Sequence, residues 1–331
     1  MTALQFAEAP ANIALIKYMG KVKGAERNKP TNSSFSYTLN HLRSRVEIYP
    51  SETAFDEWVT IDKGQWQPTH LSDRGRKRFL THFGFLKQKL DIRGVFQIRS
   101  ANNFPSDCGI ASSASSFAAL TLASYELARS QNPKLDLSIN KVAELSRIGS
   151  GSSIRSFISP FALWDERGVS AVEIPYQNLI HQVVVVDKEK KAIGSSDAHE
   201  RVTTSLLFQN RPERAQVRLE NLLANFKEKN WSAAFEIVWA EFWDMHALFA
   251  TAVPSFFYMS SHSLEVIEVL HSYWRENSDG PLVTMDAGAN VHLIFRENQK
   301  KVAEHFYLLF RKKFEVISSL DVSSGSDGRV G

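Results

Sequence analysis

Residues 102–120 constrain this chain more than any other stretch: Asn-Asn-Phe-Pro-Ser-Asp-Cys-Gly-Ile-Ala-Ser-Ser-Ala-Ser-Ser-Phe-Ala-Ala-Leu. Pro105 and Gly109 interrupt regular structure in its first half, and Ala111, Ser112, Ser113, Ala114, Ser115 and Ser116 then form a run of small side chains. Phe117, Leu120, Ser124 and Leu127 follow at helical spacing. A helix that starts on small hydroxyl residues leaves its first backbone N–H groups uncovered and points its positive dipole end at the same spot. The pattern describes an anion cradle of a size that suits a nucleotide phosphate. No Gly-Lys-Ser/Thr closes it, so it is not a Walker A loop. The plain alternative is a Ser-capped helix packed closely through small residues.

The rest of the composition narrows the class. At 331 residues the chain has room for one large domain or two lobes sharing a cleft. A net charge of +3, with basic residues scattered rather than striped, argues against nucleic acid. Its single cysteine, Cys108, excludes an internal disulfide and a thiolate-rich zinc site. No apolar run is long enough to span a bilayer and no signal-peptide pattern opens the chain, so no membrane partner is expected and the cytoplasm is the expected compartment. Residues 322–331 read as a disordered tail.

Along the chain, Leu4 and Phe6 alternate, and an apolar strand-like run then leads to Lys17, Tyr18, Met19, Gly20 and Lys21. Strand-like alternation recurs at 46–49, 59–61 and 94–99; Phe79, Phe83, Leu86 and Leu90 mark an amphipathic helix preceded by the basic cluster 73–78. A helix over 138–148 ends on Gly149-Ser150-Gly151-Ser152-Ser153-Ile154-Arg155. This is no Rossmann fingerprint, because the third glycine position is unfilled and a helix comes before it. A strand pair is predicted at 170–174 and 180–186, the second with Val183 to Val186 suited to burial on both faces. Trp231, Phe235, Val238, Phe242, Met245 and Phe249 form a long apolar helical stripe, either core or interface. Helix, strand, strand, helix, strand then follow to residue 317, compatible with a split β-α-β half. The turn between the two strands, Asp286-Ala287-Gly288-Ala289-Asn290, is of a kind that is common for structural reasons alone.

Pro105-x-x-x-Gly109-Ile110-x-Ser112-Ser113-Ala114 resembles the phosphate-binding loop of the GHMP kinase superfamily. Asn12-Ile13-Ala14-x-x-Lys17-Tyr18-Met19-Gly20-Lys21 and Pro30-Thr31-Asn32-Ser33-Ser34 resemble two blocks of its mevalonate diphosphate decarboxylase branch, with Met19 in place of a Trp. Residues 149–155 are similar to the family's Gly-Ser-Gly-Ser-Ala-Cys-Arg, and 286–290 to its Asp-Ala-Gly-Pro-Asn, with Ala289 for Pro. Ser159-Pro160-Phe161 stands where the family usually carries a glycine pair.

The resemblance implies an α+β, GHMP kinase-like fold of two lobes with a cleft between them. The N-terminal lobe, 1–187, would be ribosomal S5 domain 2-like and the C-terminal lobe, 188–321, ferredoxin-like α+β. It implies ATP and Mg²⁺ as co-substrate and cofactor, mevalonate 5-diphosphate as substrate, and a homodimer. Asn102, Pro105, Gly109, Ile110, Ala111, Ser112, Ser113 and Ala114 would bind ATP. Tyr18, Met19, Gly20, Lys21, Ser150, Gly151, Ser152, Ser153, Ile154, Ser195 and Ser196 would bind substrate, and Arg74, with Arg76 and Arg78 as alternatives, would hold its diphosphate. Asp286 would be the catalytic Asp, placed to orient or deprotonate the 3-hydroxyl, Lys17 its neighbour, and Arg155 the fork that grips the carboxylate. No protein ligand for the metal is assigned. Two rival readings remain open: a relative acting on mevalonate or its monophosphate, and an S5-like nucleic-acid-binding protein.

Overall fold

A computed structural model describes residues 5–22, 24–25, 28–69, 71–105, 112–188 and 193–320. The Cys108–Ala111 part of the phosphate loop, with Gly109 and Ile110, and the tail from 321 onward lie outside the described residues.

Two sheets organise the chain. The first takes β1 (Gln5–Ile16), β2 (Ser34–Pro50), β3 (Glu57–Thr60), β4 (Gln67–Pro68), β5 (Phe96–Asn102), β6 (Phe161–Asp165) and β7 (Gly168–Ala171). Its order is β3-β5-β2-β6-β7, with β1 paired to β2 and β4 to β5. The second takes β8 (Ile180–Val185), β9 (Leu282–Thr284), β10 (Val291–Phe295) and β11 (Glu315–Ser318) in the order β11-β8-β10-β9, every pair antiparallel. That 4-1-3-2 arrangement is the ferredoxin-like half implied by the resemblance. The helices are α1 (Asp73–Leu90), α2 (Ser112–Gln131), α3 (Ile139–Gly149), α4 (Ser195–Arg201), α5 (Arg211–Lys227), α6 (Trp231–Thr251), α7 (Ser261–Asn277) and α8 (Lys300–Phe310).

One expectation changes here. Residues 170–174 and 180–186 do not pair: β7 lies on β6, whereas β8 runs between β10 and β11. The valine run behaves as predicted, with Val183 and Val184 fully buried. By hydrogen bonding, the strand at 180–185 therefore belongs with the second sheet although the 1–187 boundary puts it in the first lobe. Alternation along one strand identifies a buried strand but not its partners.

One face of the first sheet packs Val46, Ile48, Phe96 and Ile98 against Phe79 and Phe83 of α1 and Phe117, Leu120 and Leu127 of α2. A second core joins the lobes: Ile13, Leu15, Phe35 and Leu39 from β1 and β2 meet Val183 and Val184 of β8, Phe226 of α5 and Phe242 of α6. The aromatic stripe of α6 is spent within the chain, since Trp231, Phe235, Val238, Phe242, Met245 and Phe249 are all buried. Helix starts are satisfied as their sequences suggest: Ser72, Ser138, Asn230 and Ser260 each accept a backbone N–H of the first turn.

Candidate active site

A cleft of about 1300 Å³ opens between the lobes, walled by the residues after β1, the starts of α1, α2 and α4, the turn after α3, and the turn between β9 and β10. β1 delivers the first group. Its pairing with β2 shifts register between Ala14 and Ile16, which turns the chain out of the ladder just before Lys17. The Lys17 ammonium then folds back, donating to the Ala14 carbonyl at 2.6 Å and to Asp286 Oδ1 at 2.8 Å.

Asp286 stands on a turn fastened from two sides. Asn290 Oδ1 accepts the Val186 and Asp187 N–H groups, and Ser263 Oγ donates to the Ala289 carbonyl at 2.7 Å. Those bonds hold the turn that, with Ala289 for Pro, would otherwise be free to loosen. The Asp286 side chain keeps 25% of its surface open, and it lines the cleft. Burial acts to raise its pKa, but the charge and hydrogen bond of Lys17, with the charges of His292 and Arg155, hold it below the ordinary carboxylate value. Burial pushes the Lys17 ammonium below its own ordinary value, against the opposing pull of Asp286. Asp286 is therefore an ionised carboxylate at neutral pH, kept so by a buried cation.

Arg155 comes from the 3₁₀ turn Gly151–Phe157 that follows α3. Its guanidinium bonds only neutral groups: Nη1 donates to Ser34 Oγ at 2.7 Å and Nε to Asn12 Oδ1 at 3.3 Å. Among the described residues no carboxylate is ion-paired with it. Burial pulls its pKa down to about 10, so it remains a cation. A buried guanidinium on the wall of a cleft, without an anion of its own, is a site for one from outside. Asn12 also donates to the Ser152 carbonyl and Ser156 Oγ, which fixes the turn that carries Arg155.

Hydroxyls line the neighbouring wall. Ser113, Ser150 and Ser152 follow one another at 3.5 Å steps, and Ser112 lies beside them at the start of α2. Gly151 permits this arrangement, because a Cβ there would sit 2.5 Å from the Tyr18 ring. Tyr18 packs edge-on to Trp164 and against His199, and its hydroxyl donates to the Asn28 carbonyl. Burial pushes its pKa up, so it stays protonated.

Of the sequence-assigned residues, Lys17, Tyr18, Met19, Lys21, Arg74, Ser112, Ser113, Ser150, Gly151, Ser152, Arg155, Ser195, Ser196 and Asp286 line the cleft. Four do not. Asn102 is buried behind α2, where Oδ1 accepts from Ser44 and Ser116. Ala114 and Ile154 are fully buried in the apolar interior. Ser153 donates to the Ser150 carbonyl and meets Ser146 Oγ, so it shapes the turn from inside. Gly20, with φ +102°, donates its N–H to His199 Nδ1 at 3.0 Å and acts through that bond. Arg74 is 81% exposed and pairs bidentately with Asp197 across the cleft mouth, at 2.9 and 3.1 Å. Arg78, also on the wall, donates to the Gly149 carbonyl, whereas Arg76 lies over Trp58, outside it.

Two contributors were illegible in sequence. His199 of α4 lines the cleft with Nδ1 accepting, which puts its proton on Nε2. Burial, with Lys21 and Arg155, holds its pKa down to about 3, so it is a neutral imidazole. Glu241 of α6 accepts the Lys17 backbone N–H at 2.9 Å. Neither lies in a motif, and only the fold brings them to the site.

Comparison with known proteins places the chain in a family. Residues 9–171 match a family described as diphosphomevalonate decarboxylase-like N-terminal domain, and 181–326 match the mevalonate 5-diphosphate decarboxylase C-terminal domain. A curated diphosphomevalonate decarboxylase from Aspergillus fumigatus is 32% identical, over 89% of this chain and 77% of its own. The crystal structure of a mevalonate diphosphate decarboxylase from Legionella pneumophila is 44% identical with TM-score 0.87, covering 95% of this chain and 99% of that one. A structure described as MDDEF in complex with MVAPP, AMPPCP and magnesium is 27% identical with TM-score 0.80, covering 95% of each chain.

Proposed function

The chain belongs to the diphosphomevalonate decarboxylase family, and from that premise we propose that it catalyses the ATP-dependent decarboxylation of mevalonate 5-diphosphate to isopentenyl diphosphate. The observation that carries the reading is the Asp286–Lys17 ion pair on the wall it shares with Arg155, which pairs with no carboxylate among the described residues.

The substrate carries a carboxylate, a tertiary 3-hydroxyl and a diphosphate, so its site needs cations at both ends and an oriented base between them. Arg155 takes the carboxylate with its planar fork. Lys21, Arg74 and the hydroxyls of Ser195 and Ser196 serve the diphosphate. Asp286 accepts a hydrogen bond from the 3-hydroxyl and receives its proton as the γ-phosphoryl group of ATP arrives. Phosphoryl transfer depends mainly on positioning and charge stabilisation, so the proton can move late. The 3-phosphate then leaves with the C–O electron pair, the bond to the carboxylate breaks, and its electrons form the new double bond. The products are isopentenyl diphosphate, carbon dioxide, phosphate and ADP. Arg155 also stabilises the ground-state carboxylate, and that binding lowers the barrier only as far as the transition state keeps it.

Ser112 and Ser113 sit where α2 begins and would cap the ATP phosphates together with the N–H groups of its first turn. Among the described residues no cluster of three or more His, Cys, Asp or Glu side chains converges for a metal. The cleft instead offers hydroxyl oxygens, a donor set that suits Mg²⁺ carried in on phosphate oxygens and water. Bound that way, Mg²⁺ would neutralise charge on the transferring phosphates. The family expectation of a cytoplasmic homodimer belongs to this proposal too; among the described residues, no helix is long and apolar enough to cross a membrane.

The reading is tested by ADP release in a coupled assay with mevalonate 5-diphosphate, mevalonate phosphate and mevalonate. Strong preference for the diphosphate is expected, and equal or better turnover of a less phosphorylated form would assign the chain to a relative.

A further inference from the structure

Among the described residues, Glu241 is the one carboxylic acid buried outright, and the chemistry above does not use it. It lies on α6 in a cluster with α5. Its Oε2 accepts from Arg218 Nη1 at 3.0 Å, and its Oε1 accepts from Arg211 Nη2 at 2.5 Å. Arg211 is fully buried, with Nε 3.6 Å from Asp244; Arg218 and Arg214 bond Asp244 at 2.6 and 2.8 Å. Burying such a network costs desolvation that its attractions only roughly offset, and apolar residues of equal volume would serve stability as well. From Glu241, one bond runs out of the network toward the cleft: Oε1 accepts the backbone N–H of Lys17 at 2.9 Å. That N–H follows the last pair of β1, Ile16 with Phe35, and so lies beyond the β1–β2 ladder.

We propose that Glu241 is a positioning residue for Lys17: from α6 it fixes the backbone from which Lys17 reaches Asp286, and its charge keeps the ammonium protonated. The inference rests on the reading of Lys17 and Asp286 as the reacting pair. The charged and titratable groups acting on Lys17 are Asp286 on the β9–β10 turn, Glu241 and His246 on α6, and Arg155 on the 3₁₀ turn, while His292 of β10 acts on Asp286. Burial pushes Lys17 toward the neutral amine, Asp286 and Glu241 oppose this, and Arg155 adds to it. Glu241 is the opposing anion that takes no part in the reaction.

Two variants move this balance in opposite directions. Glu241→Gln keeps an oxygen for the Lys17 N–H but removes the charge, so Lys17 loses its proton at lower pH. Arg218→Gln, at a side chain 22% exposed, leaves the Glu241–Lys17 bond and strips away part of the charge that neutralises Glu241, so Lys17 keeps its proton to higher pH. The measurements are kcat/KM against pH and, without substrate, competitive acetylation of Lys17 against pH read by mass spectrometry. Glu241→Gln is expected to lose kcat/KM on the alkaline side at lower pH than wild type, by about one pH unit, the size of one screened charge at this range. Its acetylation midpoint should fall, and that of Arg218→Gln should rise. Midpoints that stay together, or shift the same way in both variants, would overturn the inference. If Glu241→Gln does not fold, Arg218→Gln decides alone by the sign of its shift. A wild-type enzyme inert toward mevalonate diphosphate would sink the functional reading, while the acetylation midpoints would still judge the role of Glu241.

Discussion

In the proposed reaction a single carboxylate, Asp286, carries most of the chemistry, and its environment suits it to that role. Asp286 is held ionised by a cation that has no solvent to screen it, so an uncharged isostere loses its proton acceptor and keeps its shape. Asp286→Asn is therefore expected to bind ATP and substrate almost normally while turnover falls by roughly two to four decades. Near-normal turnover in a folded variant would remove Asp286 from the mechanism. Arg155 makes a sharper test of geometry than of charge. Its Nη1 and Nε are already committed to Ser34 and Asn12, which sets the plane of the fork. Arg155→Lys retains the cation, loses the plane, and should cost more than about tenfold in kcat/KM; activity equal to wild type would reduce Arg155 to a structural role. Sequence showed these residues because each sits in a short motif whose chemistry is local. It also assigned Asn102, Ala114, Ser153 and Ile154 to the site, and these lie off the cleft lining, since a motif gives neighbours along the chain and not which side faces the cleft. Glu241 and His199 were invisible for the converse reason: the bond from Glu241 to Lys17 spans 224 residues.

Among elements, those with strong periodicity were legible. α1, α3, α6, α7 and α8 fall where the apolar spacing predicts them, and the stripe of α6 proves to be core. α5 escaped notice because its buried face includes Arg211, a charge that apolar periodicity does not register. β8 was found as a strand and assigned to the wrong neighbours, since only tertiary pairing tells which sheet a valine-rich strand joins. The 3₁₀ turn after α3 is the element on which the site depends most closely. It presents Ser150, Ser152 and Arg155 to the cleft and lets Tyr18 approach its backbone. In Gly151→Ala the new methyl meets the Tyr18 ring, which is itself packed between Trp164 and His199. The expected result is overpacking worth about 1–3 kcal/mol of stability and a raised KM for mevalonate diphosphate. A variant that melts and binds like wild type would show that Tyr18 has room to yield.

For the whole molecule, two lobes share one apolar core while their polar edges face each other across the cleft. Asp286 comes from the second lobe and Lys17 and Arg155 from the first, so the reacting groups meet only when both lobes are in place. Arg74 and Asp197 add a solvent-exposed ion pair at the mouth, too screened to hold the lobes together. The central claim is that this one cleft both phosphorylates the 3-hydroxyl and releases the carboxylate. The most direct test is the ratio of carbon dioxide to ADP formed from mevalonate 5-diphosphate, with both products measured in the same reaction. The account predicts one carbon dioxide for each ADP at every time point; ADP accumulating with the carboxylate still on the product would contradict it.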